Sequence, residues 1–95
     1  MLFRSLFKQE DWQKFKILFD KVYHNFFEKL LCKYPDLSQA EIRLLALIKL
    51  NFSSDEMAYS LGVGVNTIKK TRQRIRQKID ISEKESLAGW LKQNT

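Results

Sequence analysis

Residues 69–78 read KKTRQRIRQK and place six basic side chains within ten positions, with no acid among them. The 95-residue chain carries a formal net charge of +6, so the remaining 85 residues, with 11 bases and 11 acids, are neutral. Solvated helix faces usually mix both signs, whereas a concentrated positive stripe is typical of surfaces that bind nucleic acid. The charge placement therefore predicts a nucleic-acid interface here rather than an ordinary solvated face.

A helical projection divides this segment into a buried face and an outward face. With about 100° per residue, Ile68, Ile75 and Ile79 fall within about 40° of one another and predict the buried side. The opposite arc carries only bases and amides, which can bond the edges of guanine and adenine respectively. We therefore expect contacts to DNA bases from Asn66, Lys69, Lys70 and Gln73.

The flanks of the same helix carry hydroxyl and basic groups that suit the phosphates on either wall of a major groove. The phosphate contacts expected are Thr67, Arg74, Arg76 and Lys78. Arg72 lies instead on the flank of the buried face. We predict that it pairs with a carboxylate, either Glu41 or Glu56.

The elements that must position this segment are predicted to be helices. Between residues 10 and 33, apolar side chains recur at steps of three or four, which predicts one long amphipathic helix. Pro35 ends it, because the residue before a proline is disfavoured in the helical region. Three S-x-x-E sequences, beginning at Ser38, Ser53 and Ser82, match the capping box that starts a helix. They predict helices over 39–50, 54–61 and 83–92, and the basic segment predicts a further helix over 65–79.

Only a short turn containing Gly62 and Gly64 separates the predicted helices 54–61 and 65–79. Gly62 suits the left-handed position that ends a helix. This spacing is typical of a helix-turn-helix, in which a short helix supports a second one. The alternative is an ordinary corner between two helices, and the basic stripe on the second helix favours the helix-turn-helix.

The predicted fold class is all-α, with a long N-terminal helix followed by a four-helix helix-turn-helix domain. Residues 1–36 form the linker or dimerisation element, and residues 37–95 form the DNA-binding domain. Cys32 is expected to be buried, His24 to lie at or near the surface, and Trp90 to be either a core residue or a dimer contact. The predicted core includes Phe15, Phe19, Val22, Phe26, Leu44, Leu47, Ile48, Met57, Ala58, Leu61, Ile68 and Ile75.

Composition argues against several other classes of protein. One cysteine and one histidine exclude a disulfide framework, cysteine-based zinc sites and paired-histidine metal sites. No P-loop, nucleophile elbow or convincing carboxylate pair is present, so we expect a non-enzymatic protein without metal or cofactor. The longest apolar run, residues 44–48, is far shorter than the ~20 residues of a membrane span, and no secretory signal is visible. We expect a cytoplasmic protein with no membrane contact.

Four submotifs in unbroken register resemble the LuxR-type (GerE) helix-turn-helix domain. LSQAE at 37–41 is similar to the family's opening L-T/S-x-x-E, and SSDEMA at 53–58 is similar to S-x-x-E-I-A. LGVGVNTI at 61–68 is similar to L-G-I-S-x-x-T-V, and RIRQKI at 74–79 to R-I-R-x-K-L. The preceding aromatic helix, followed by KYPDLS, further resembles the C-terminal ends of large Bacteroidetes-style sensory regulators.

The resemblance implies a bacterial transcription regulator whose third helix enters the major groove of double-stranded DNA. It implies base contacts from Lys69, Lys70 and Gln73, with Thr67 on a phosphate. It also implies dimerisation through the last helix, 83–92. The aromatic helix 10–33 is a rival surface for forming a homodimer.

Two residues depart from the family pattern. Gly64 stands where a serine or threonine usually caps the recognition helix, and glycine caps less well. Arg72 stands where an apolar residue is frequent. Both departures affect how the recognition helix packs and the exact geometry of its contacts, and neither argues against DNA binding.

The residues leave two other functions open. One is a module similar to region 4 of sigma factors, which would bind promoter DNA and also dock on RNA polymerase. The other is a protein-interaction adaptor that uses the aromatic helix 10–33. Steep loss of affinity for duplex DNA with rising salt would distinguish a DNA-binding protein from an adaptor.

Overall fold

The computed structural model describes residues 8–82 and 84–94, and within these ranges the chain forms helices and no strand, as the sequence predicts. The bounds of the six helices in this part of the chain are α1 Gln9–Val22, α2 Phe26–Lys33, α3 Gln39–Lys49, α4 Ser54–Leu61, α5 Val65–Ile79 and α6 Leu87–Asn94. Among these described helices, none combines the length and the apolar character needed to cross a membrane.

The predicted single helix over 10–33 is wrong, because the chain turns between α1 and α2. Asn25 adopts the left-handed conformation, with φ 62° and ψ 19°, which asparagine tolerates better than most residues. In an unbroken helix Trp12 and Phe27 would lie about 22 Å apart along the axis. The turn brings their ring centroids to 5.8 Å. Packing of aromatic side chains between the two halves therefore accounts for the break, which the helical period alone does not reveal.

Three predictions about burial differ from the structure. Val22 is the last residue of α1 and is 73% exposed, so its predicted place in the core is wrong. Cys32, predicted to be buried, is exposed because it lies about 200° around α2 from the buried Leu30. Leu61 ends α4 and is only partly buried against the core.

Two of the three predicted capping boxes are confirmed. Ser38 and Ser53 each accept a hydrogen bond from the backbone N–H three residues later, and the glutamates at those positions accept from the serine N–H groups. The third prediction is wrong, because α6 begins at Leu87. There Ser86 takes the capping position, and its hydroxyl accepts from the Gly89 N–H at 3.0 Å. The Ser82 hydroxyl instead accepts from the Lys84 N–H within the turn before α6.

The buried side chains form one cluster with α3 at its centre. Leu44, Leu45, Ala46, Leu47 and Ile48 are all buried, and α3 packs against both α5 and α6. Buried residues of every described helix belong to the cluster. Trp90 of α6 is a core residue, since it is buried and its ring packs 5.7 Å from that of Tyr34.

Candidate nucleic-acid interface

The basic helix α5 lies with one face on the core and the other in solvent. Ile68, Ile75 and Ile79 are buried, as the projection predicts. Thr71 is buried as well, and its hydroxyl donates to the Thr67 carbonyl at 2.8 Å. The sequence reasoning missed Thr71, although the same projection places it about 60° from Ile68 on the buried side.

A tight turn sets the start of α5 against α4. Gly62 ends α4 in the left-handed conformation, with φ 68° and ψ 34°, as its position after the last helical residue predicts. The Val63 N–H then donates to the Ala58 carbonyl at 3.0 Å, which holds the turn against α4. Gly64 precedes α5 in an extended conformation and provides no side-chain cap. The α5 axis is therefore held by α4, the turn and the core below.

The outward arc of α5 consists of exposed polar side chains. Lys69 and Lys70 are exposed and have no ion pair within the described part of the chain. Asn66 and Gln73 are exposed beside them, and Gln77 continues the arc toward the end of the helix. The structure thus brings together the four residues expected to contact bases on one open surface.

Two of the predicted phosphate contacts pair with a buried carboxylate. The Lys78 ammonium lies 2.8 Å from Glu41 Oε1 and also donates to the Asp36 carbonyl at 2.9 Å. The Arg74 Nε lies 3.9 Å from Glu41 Oε2, and another of its guanidinium nitrogens donates to Thr71 Oγ1 at 3.1 Å. Glu41 therefore joins the start of α3 to the second half of α5.

Glu41 remains ionised because its environment compensates for burial. Burial by itself raises the pKa of Glu41, but hydrogen bonds from Lys78 and the Ser38 N–H, together with the charge of Lys78, outweigh it. The result is a pKa below the usual value for glutamate. The cost of burying the carboxylate is thus offset by neighbours on two helices.

Arg76 links α5 to the segment that precedes α6. Its guanidinium donates to the Ser82 carbonyl at 3.1 Å and to the Glu85 carbonyl at 2.7 Å. Thr67, the remaining predicted phosphate contact, is exposed near the start of the helix. All three predicted basic contacts are bonded inside the molecule, but Arg74 keeps 58% of its side-chain surface exposed, against 35% for Lys78.

The predicted ion pair of Arg72 is wrong. Neither Glu41 nor Glu56 pairs with it, since Glu41 is held by Arg74 and Lys78, and Glu56 accepts from the Ser53 N–H at 2.8 Å. The Nε of Arg72 is buried and has no hydrogen-bond partner in the part of the chain that the structure describes. The projection correctly placed Arg72 beside the core but did not reveal which bases reach Glu41 from α5.

No family model matches the chain, and no match was found among curated proteins or solved structures. Within residues 8–82 and 84–94, no three histidine, cysteine, aspartate or glutamate side chains cluster as a metal site requires. The functional interpretation therefore depends on the geometry and charge of α5.

Proposed function

We propose that this chain is a double-stranded DNA-binding domain of the LuxR-type (GerE) helix-turn-helix class, acting in transcriptional regulation in the bacterial cytoplasm. The observation that carries the proposal is the outward arc of α5, where two exposed lysines lie among exposed amides and pair with no acid among the described residues. The contacts of α5 with the core come from the buried side of the helix, so the outward arc is available to bind a ligand.

The dimensions and support of α5 suit the major groove. A groove about 12 Å wide accepts an α-helix whose side chains reach the base edges. In this proposal α4 supports α5 from behind, and the turn at Gly62 sets the start of α5 against α4. Asn66, Lys69, Lys70 and Gln73 contact bases from the first ten residues of the helix.

Intramolecular contacts restrict which residues meet the phosphates. Thr67 and Arg74 keep exposed surface on the two sides of the arc. Lys78 and Arg76 are engaged with Glu41 and with backbone carbonyls, respectively. We therefore place the DNA footprint on the first two-thirds of α5, with the end of the helix fastened to the rest of the domain.

The test begins with selection of a preferred duplex from a random pool, followed by fluorescence anisotropy titrations at two salt concentrations. A DNA-binding domain loses affinity steeply as salt rises, because phosphate contacts release counterions. Lys69→Ala should cost about 1–3 kcal/mol on the preferred duplex and much less on a scrambled one. Lys29→Ala removes an exposed lysine on α2 and is the matched control, with affinity expected to stay near that of the wild type.

Two outcomes would contradict the proposal. Absence of duplex binding at low salt would favour the protein-interaction adaptor instead. Equal losses for Lys69→Ala and Lys29→Ala on both duplexes would show that the binding is diffuse attraction by net charge rather than recognition by α5.

A further inference from the structure

Exposed apolar side chains are concentrated on α1 and α2. The large apolar residues exposed in the described part of the chain are Ile17, Leu18, Val22, Leu31, Tyr59 and Val63. Four of these six belong to α1 and α2, the region that precedes the α5 interface in the chain. Leu18 and Val22 line a depression that includes Leu50 and Phe52, whereas Ile17 and Leu31 share a different face. An exposed apolar face formed by two neighbouring helices indicates an interaction surface.

Two of these residues, Ile17 and Leu31, lie on a groove between α1 and α2. The groove has a volume of about 660 Å³ and is lined on its apolar side by Ile17, Phe27 and Leu31. Ile17 is 60% exposed and Leu31 is 44% exposed. The Lys16 ammonium lies 5.4 Å from the centroid of the Phe27 ring at one edge. A partner covering this groove would remove apolar surface from water on both helices.

The rim of the groove carries both signs of charge. Lys16 and Lys21 supply two bases, and Asp20 and Glu28 supply two acids. In a two-fold symmetric interface the same patch meets itself, so it must be self-complementary. A rim with two bases and two acids has no net charge and allows bases of one copy to pair with acids of the other, whereas a rim of one sign would repel its copy.

We propose that the α1–α2 groove binds the same groove of a second copy of this chain, forming a two-fold symmetric dimer. This proposal does not depend on DNA binding. The residues of α5 do not line the groove, so they stay available in the dimer. If the proposed function also holds, the dimer presents its two copies of α5 to two DNA half-sites related by symmetry.

The surface of α6 is a weaker candidate for the same role. Leu87, Trp90 and Leu91 face the core, and Lys92, Gln93 and Asn94 are the exposed residues at its end. Association through 83–92, which the family resemblance implies, would therefore lack a large exposed apolar side chain among the described residues. The groove between α1 and α2 has two.

The test is sedimentation equilibrium of the full chain without DNA, from about 10 µM to about 1 mM, the range of weak association. The wild type should move from monomer mass toward dimer mass, and Ile17→Asp should stay monomeric throughout. Val22→Asp is the matched control, because Val22 is an apolar residue of α1 that is at least as exposed as Ile17 and does not line the groove. Circular dichroism of each variant checks that it remains helical.

A charge-reversal pair tests the rim directly. The variant Asp20→Lys/Glu28→Lys has only bases on the rim, and Lys16→Glu/Lys21→Glu has only acids. Each variant alone should be monomeric because it repels its copy, and an equimolar mixture should form the dimer. A wild type that is monomeric at 1 mM, dissociation by Val22→Asp but not by Ile17→Asp, or a mixture that stays monomeric would overturn the proposal.

Discussion

At the scale of single residues, Glu41 connects the start of one helix with the end of another. Its carboxylate accepts from the Ser38 N–H as part of a capping box and from Lys78 of α5, with Arg74 nearby. The second box has the same local geometry at Ser53 and Glu56, but Glu56 is exposed and has no ion pair among the described residues. Comparing variants at the two boxes therefore distinguishes the stability that the cap contributes from the stability that the ion pair contributes.

Glu41→Gln should lower the free energy of unfolding by about 1–2 kcal/mol at pH 7, because the hydrogen bond from Lys78 loses its charged acceptor. Since the folded-state pKa of Glu41 lies below its unfolded value, the carboxylate stabilises the fold above the unfolded-state pKa. This stabilisation is lost as pH falls through the folded-state pKa. Urea unfolding at a series of pH values should therefore show wild type and variant converging in acid.

Glu56→Gln is the control for this measurement, since it changes the same box position without an ion pair. Its effect at pH 7 should be smaller than that of Glu41→Gln. Equal effects of the two substitutions would show that capping, rather than the contact with Lys78, accounts for the stability contributed by Glu41.

Arg72→Met should leave the free energy of unfolding unchanged or raise it by up to about 3 kcal/mol, because it removes a buried N–H that has no partner among the described residues. The matched substitution is Arg76→Met on the same helix, where two hydrogen bonds to the carbonyls of Ser82 and Glu85 are lost. That variant should be destabilised by about 1–2 kcal/mol. Thermal melting of both variants decides, and a lower melting temperature for Arg72→Met than for Arg76→Met would contradict this assignment.

At the scale of elements, the break at Asn25 determines how the aromatic residues of α1 and α2 pack. Phe19 lies 5.0 Å from Phe26 and 5.2 Å from Phe27, measured between ring centroids. These contacts join the last turns of α1 to the first turn of α2 and require the chain to reverse within three residues. The left-handed backbone at Asn25 makes this reversal possible.

Asn25→Val should lower the free energy of unfolding by about 1–2 kcal/mol, because a β-branched residue is strained in the left-handed conformation. Asn25→Gly should be close to neutral, since glycine adopts that conformation without strain. Denaturant unfolding of the two variants measures the difference. If valine and glycine had the same effect, the left-handed turn would not be the feature that separates α1 from α2.

At the scale of the whole molecule, the first and last described helices share one core with α3, α4 and α5. Trp12 of α1 and Trp90 of α6 are both buried in this cluster. Trp12 packs on Phe15 and Phe27, with the Arg43 guanidinium 4.9 Å from its ring centroid. The division into segments 1–36 and 37–95 stays a prediction. Because the described helices share one core, we expect them to unfold together.

Trp12→Phe and Trp90→Phe each leave one tryptophan, at opposite ends of the described chain, as a fluorescence probe. For each variant, unfolding in urea is followed both by tryptophan fluorescence and by circular dichroism. The two normalised transitions of one variant should coincide, because a shared core unfolds as one cooperative unit. In Trp90→Phe the remaining probe is Trp12. If its fluorescence transition preceded the loss of helix, α1 and α2 would unfold separately from the other described helices.

The sequence alone determined the features that depend on neighbours within one helical turn. The all-α class and the buried face of α5 follow from periodicity, and the caps at Ser38 and Ser53 follow from contacts three residues apart. The left-handed end of α4 follows from the backbone freedom of Gly62. The same local logic brings the lysines and amides of the outward arc to one surface, because side-chain direction on a helix repeats every 3.6 residues.

Only the tertiary structure decided which distant residues meet. The break at Asn25 depends on Trp12 reaching Phe27, and the engagement of Lys78 depends on a carboxylate 37 positions away. Ser82 has the pattern of a cap, but Arg76 holds the carbonyls of Ser82 and Glu85 in the turn before α6, and Ser86 caps that helix instead. Periodicity orients a side chain about its own helix, whereas its partner depends on how the helices pack around the shared core.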